Sequence, residues 1–324
     1  MSILQFQMPF DRKRTILLVL LSISLIALYS GTILRLARFA LSSDAFSYML
    51  LIPFVSAFFL IKDRKTIFEK VQYALPAGIG IISSGLLVIG ASIFWGTSIS
   101  RPNILTLEVI SFLISLMGIF VLCFGAGSFK QALFPLLFLM FIIPIPALVE
   151  RVIVEMFRAG STEMVALYFK IGGIPFIREG STFQLEHLSF RVADECSGIN
   201  SGLSLFIVAV IAAKLFLKSN WVRLMFILSI VPIGWSKNGL RIATLTLLGC
   251  YVNPGFLHGP LHRQGGRPFF IVALLFLGGS LFICRAIEKR MKKKITVSSI
   301  QHFTAETCTA LNRSSSENSE IQKK

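Results

Sequence analysis

Cys196 stands in the run Asp194-Glu195-Cys196-Ser197-Gly198-Ile199-Asn200-Ser201, directly ahead of an apolar block. A cysteine at a helix N-terminus feels the positive end of the helix dipole, which favours the thiolate, and a nearby imidazolium lowers its pKa further. The thiolate is the nucleophilic form. A membrane cysteine can equally be a small packing residue at a helix start. The flanking Ser, Gly and Asn argue for a cavity wall instead, because they pack tightly and do not make a lipid face.

Two further stretches could serve such a nucleophile. Asn238-Gly239-Leu240-Arg241 comes late in an apolar block that begins near Val222. Arg241 is 19 residues on from Val222, nearly the full bilayer thickness at about 1.5 Å per residue. Its guanidinium could snorkel to the headgroups, or face a developing oxyanion, where a fixed charge in a dry site is most effective. The stretch 256–266, FLHGPLHRQGG, holds two of the four histidines, His258 and His262. Histidine is the usual general acid and base near neutral pH; either could also be a solvated loop residue. His187 lies in another polar loop and is a weaker candidate. His302 is in the C-terminal tail, out of reach. A nucleophile, a base and a cationic oxyanion stabiliser on one side of a membrane would meet the requirements of an acyl-transfer site.

The elements that must position these groups are membrane helices. Of 324 residues, 54% are hydrophobic and 15% charged, against about a quarter charged in a typical soluble domain. The apolar residues come in blocks of roughly 20, long enough to cross a hydrocarbon core. Expected spans are 15–35, 45–61, 75–95, 104–124, 131–149, 198–217, 222–248 and 268–287. The fifth contains Pro135, Pro144 and Pro146, so it should kink or end early. The first follows a short basic stretch without a small-residue cleavage site, and reads as a retained anchor.

The net charge of +16 does not point to nucleic acid, because the basic residues punctuate the apolar blocks. With Arg12–Arg14 in the cytoplasm, Lys62–Lys65, Lys130, Lys214/Lys218/Arg223 and the 289–294 cluster all fall inside, as the positive-inside rule requires. Both termini are then cytoplasmic. Residues 150–170 mix charges into an apolar repeat and read as an amphipathic helix at the outer interface. Residues 171–195 read as loop or short hairpin, also outside. The five cysteines lack CxxC spacing, so neither a metal cluster nor a disulfide framework is expected, and no cofactor is implied. The expected architecture is all-α: a polytopic bundle of about eight spans, with an outer amphipathic helix and loop. Residues 1–290 form the membrane domain, with a polar outer region at about 150–195. Residues 291–324 form a polar, basic tail without a packed core.

Over about residues 40–285 the chain resembles the exosortase/archaeosortase family of multi-spanning cysteine enzymes. Asp44-Ala45-Phe46-Ser47-Tyr48 with Leu51-Ile52-Pro53, Phe134-Pro135 through Ile143-Pro144-Ile145-Pro146, and Gly173-Ile174-Pro175 with Gly180 are similar to its early motifs. Cys196-Ser197-Gly198-Ile199 looks like the family's CSGI motif, Asn238 to Arg241 like NxxR, and His262 with Gly266 like HxxxG. The resemblance implies Cys196 as nucleophile, Arg241 as the essential arginine and His262, ahead of His258, as acid and base. Ser197, Gly198, Asn238 and Gly266 take supporting roles.

It further implies a thiol protease or transpeptidase of the cytoplasmic membrane, with its site on the outer side. The implied partners are exported, membrane-anchored proteins ending in a short motif, an apolar helix and a basic tail, together with membrane lipids. A substrate anchored in the same bilayer would present its scissile bond at the depth of Cys196. The rival class is a transporter or polysaccharide-export subunit without covalent chemistry. That class would place paired polar residues along a mid-bilayer pathway; this chain collects its candidates at one face and has no evident inverted repeat.

Overall fold

The structure is a computed structural model that describes residues 12–42, 46–69, 71–94, 101–186, 188–194, 198–257 and 268–291. Cys196, Ser197, His187, His258, His262 and Gly266 lie outside the described residues, as does the tail beyond 291. The chain divides into two units, Met1–Val154 and Glu155–Lys324.

The first unit holds α1 (Arg12–Leu28), α2 (Ser30–Leu41), α3 (Ile52–Lys62), α4 (Arg64–Ile67), α5 (Leu75–Phe94), α6 (Arg101–Gln131) and α7 (Leu133–Phe138). The helix α8 (Ala147–Ile171) begins in it and continues into the second unit. Within it, α5 packs tightly against α6. Gly78 lies against Leu122, Gly85 against Ser115 and Gly118 against Ile82, each so close that a Cβ would stand under 3 Å from its neighbour. Small residues are how membrane helices approach closely without a hydrophobic driving force between them. At Gly125, inside α6, φ is 81°. The kink there is glycine-dependent twice over, since a Cβ would also stand 2.4 Å from the Gln72 carbonyl oxygen.

The expected first span is two helices. α1 and α2 meet at 74° around Tyr29, whose buried ring packs edge-on to Phe112 while its hydroxyl pairs with Ser111 at 2.5 Å. The bend brings Thr32 and Arg35 to Glu108, with Arg35 Nη2 donating to Oε2 at 2.5 Å. The fifth span breaks where its prolines foretell. Helical structure ends at Ile142 and resumes at Ala147 after a 90° turn, and the Pro144 carbonyl accepts a hydrogen bond from Thr106 at 3.1 Å. Backbone groups freed by prolines in such a setting must find partners within the protein.

The second unit holds the rest of α8, then β1 (Ile177–Glu179), β2 (Thr182–Gln184), β3 (Ser189–Arg191), α9 (Ile199–Phe216), α10 (Asn220–Leu228), α11 (Ile230–Tyr251) and α12 (Pro268–Met291). The all-α expectation is therefore met except for a three-stranded antiparallel sheet, order β1-β2-β3, within residues 177–191. A two-residue turn with Gly180 at φ 61° joins β1 to β2, the positive-φ geometry that tight hairpins need. Phe183 is fully buried beneath the sheet, stacked on Phe190 and edge-on to Phe169 of α8. The face of α8 made by Phe157, Gly160, Ser161, Val165 and Phe169 is buried, while Glu155 and Glu163 are exposed. That is the amphipathic pattern the sequence carries.

A second cluster joins α9, α10 and α12 through Leu205, Ala209, Val222, Phe226, Ala273 and Leu277. Where α9 turns into α10, Glu288 of α12 accepts the backbone N–H groups of Lys218 and Ser219 at 2.9 and 2.5 Å, satisfying donors that a helix start leaves open.

Among the described residues, Leu75–Phe94, Asn103–Gln131 and Pro268–Met291 are long and apolar enough to cross a membrane, and counting each bent pair as one span raises the number to five. The expected second, sixth and seventh spans are shorter or broken. Ser47–Lys62 and Ser201–Phe216 fall below spanning length, and the stretch from 220 to 251 is divided at Ser229 into α10 and α11. Large apolar side chains such as Leu87, Phe94, Leu275 and Phe282 are more than 70% exposed, a surface suited to lipid.

Candidate functional site

α11 carries the second candidate motif and is the helix around which the site is built. Lys237, Asn238 and Gly239 are buried in succession, and Arg241 is partly buried. A helix puts residues three and four apart on one face, so Arg241 lies above Asn238 and Lys237.

Helix α8 packs on α11 through glycines. A Cβ on Gly160 would stand 2.2 Å from the Trp235 ring, and one on Gly239 would stand 2.4 Å from Met164 Cβ. The Phe157 ring fills the space left by Gly202 of α9 and Gly234 of α11. Within this contact Asn238 Nδ2 donates to Ser161 Oγ at 2.9 Å, a bond buried on both sides. Nearby, Tyr168 and Ser236 pair through their hydroxyls at 2.5 Å.

Asp194 and Gly198, which flank residues 195–197 in the sequence, each contact these helices. Asp194 pairs with Arg158 of α8 at 3.2 Å. Gly198 is left-handed, with φ 76° and ψ 16°, and forms the N-cap of α9. It fits only because it is glycine: a Cβ there would stand 2.7 Å from Asn238 Oδ1. The Gly198 carbonyl accepts from Ser201 Oγ at 3.0 Å, and Lys237 Nζ donates to that same Ser201 oxygen.

Thus Gly198 and Asn238, one from each of two candidate motifs, are in contact. A cation on α11, the amide of Asn238 and the start of α9 share one locality. Such a locality can hold a thiolate at a helix start and offer positive charge to an oxyanion. His262, Gly266 and His258 are outside the described residues.

Ser201 closes the run quoted around Cys196, but two other residues here, Ser161 and Lys237, went unread in the sequence. Ser161 sits in a mixed apolar and charged repeat where serine is commonplace. Lys237 left a better signal, since an ionisable group within an apolar block is costly and marks a candidate functional position. On the three-stranded sheet, Arg178 pairs with Glu163 at 2.6 Å, and the hydrogen bond to that carboxylate pushes the guanidinium pKa up. Among the described residues, no three His, Cys, Asp or Glu side chains come together as a metal site, and Cys123, Cys250 and Cys284 are free.

Bent and glycine-packed apolar helices with a lipid-suited exterior define a helical membrane protein. Residues 40–279 match the family model of the transmembrane exosortases, and the chain belongs to that family. Comparisons with curated proteins and with solved structures find no match.

Proposed function

We propose that this protein is a cysteine protease or transpeptidase that cleaves the C-terminal sorting signal of exported proteins at the outer face of the cytoplasmic membrane. The observation that carries this reading is the contact between Gly198 and Asn238, which joins the segment of Cys196 to the helix of Arg241. Membership of the exosortase family supports it.

In the proposed reaction, Cys196 thiolate attacks the scissile carbonyl carbon. The oxyanion that forms is stabilised by the Arg241 guanidinium. Collapse breaks the C–N bond, and His262 protonates the departing amine. The thioester is then attacked by water or an acceptor amine, whose proton passes to His262, and the thiolate leaves. His262 takes this role ahead of His258, as the HxxxG resemblance implies.

The proposed topology has about eight crossings, both termini in the cytoplasm, and the region 150–195 at the outer interface. A bent or short helix can complete a crossing when other protein segments cover its freed backbone groups. The substrate is an exported protein anchored in the same bilayer by a motif–helix–basic tail. The proposed cleavage serves surface attachment or exopolysaccharide.

The test is co-expression with an exported protein bearing such a signal, followed by gel shift. Cys196→Ala should abolish processing, and Arg241→Ala should slow it by about a hundredfold or more, by analogy with loss of an oxyanion donor. Normal processing by Cys196→Ala would remove the nucleophile.

A further inference from the structure

Lys237 is 4% exposed and sits inside α11. Its ammonium forms no ion pair with an acidic side chain among the described residues; its hydrogen-bond partner there is Ser201. An isolated buried cation is costly, and a core position would take an apolar residue of similar length at less cost. The hydrogen bond gives this lysine a definite task. Lys237 donates to Ser201, Ser201 donates to the Gly198 carbonyl, and Gly198 is the left-handed residue that starts α9. The next residue of α11, Asn238, closes on the same glycine from its Cα side. The turn is therefore gripped twice by α11, once through a hydroxyl relay and once by direct packing. Asp194, before the cysteine, is tied to α8.

We propose that Lys237 is a positioning residue for the cleavage reaction: through Ser201 it holds the Gly198 turn from which the chain leads back to Cys196. This rests on Cys196 being the nucleophile. A hydroxyl relay suits the place, because serine can accept a hydrogen bond from the lysine ammonium while donating its own O–H to a backbone carbonyl. A small displacement of a reacting group is enough to cost about a hundredfold in rate, so the relay would be visible in turnover without contact to substrate.

The experiment uses the full-length protein with two readouts: processing of the co-expressed exported substrate in cells, and, on the protein purified in detergent micelles, alkylation of Cys196 by iodoacetamide followed by peptide mass spectrometry. Ser201→Ala and Lys237→Met should each slow processing by about a hundredfold. The double variant should be no slower than either alone, because both break one chain of contacts. Ser201→Thr keeps the hydroxyl and should retain the parent rate. Alkylation of Cys196 at pH 7 should slow about tenfold in Ser201→Ala, while that of Cys250 stays unchanged and reports an intact fold.

Parent-rate processing by Ser201→Ala would overturn the proposal, as would losses that multiply in the double variant. Should Lys237→Met fail to accumulate, the Ser201→Ala and Ser201→Thr pair decides. Processing by Cys196→Ala would instead sink the nucleophile reading. The alkylation rates, which need no substrate, would still test the relay: slowing in Ser201→Ala supports it, and an unchanged rate ends it.

Discussion

Gly198 and Asn238 meet so closely that the glycine has no room for a side chain: a Cβ there would stand 2.7 Å from Oδ1 of an asparagine that is itself fully buried. The contact ties the start of α9 to the middle of α11. It brings together one residue from each of the two candidate motifs.

Gly198→Ala should therefore damage the protein twice. The left-handed backbone at φ 76° costs a non-glycine residue about 1 kcal/mol or more, and displacing Asn238 adds about 1–3 kcal/mol of overpacking. Thermal unfolding of the purified protein in detergent should show a clear loss of stability, together with loss of substrate processing. An alanine variant with parent stability would mean that the turn relaxes freely.

Asn238 holds its place through the 2.9 Å bond to Ser161. Asn238→Leu leaves the serine hydroxyl without this partner and should cost about 1–3 kcal/mol. Ser161→Ala should cost a similar amount. The double variant should cost less than the sum, since one bond is lost in both. Additive losses by thermal unfolding would show that the two side chains act separately.

The Arg178–Glu163 pair offers a contrast. Glu163 is 65% exposed and Arg178 29%. Exposed pairs contribute about 1 kcal/mol at most and are screened by salt. Glu163→Gln should change stability by less than that, with the difference shrinking in high salt, and leave processing intact. A large loss of processing would move the sheet from scaffold to site.

Topology is open to a direct chemical test. With both termini in the cytoplasm, Cys308 should resist a membrane-impermeant maleimide applied to intact cells and react after permeabilisation. Labelling from outside would reverse the proposed orientation, and with it the side on which Cys196 works.

The broad class of this protein was legible in its residues. Apolar blocks, basic loops and three ordered motifs pointed to a helical membrane enzyme, and the family match bears out the membership. The prolines at 144 and 146 foretold a break, because a helix cannot continue through them, and the break is there at 90°.

Other features needed the tertiary structure. The bend at Tyr29 depends on a partner 82 positions away, and no local pattern encodes that. Lys237 and Ser201 lie 36 positions apart, and only the packing of α9 on α11 shows that one serves the other. Hydropathy reports what each segment buries on average. Which glycine admits which neighbour is settled by contact distances of a few ångströms, and those exist only once the helices are packed.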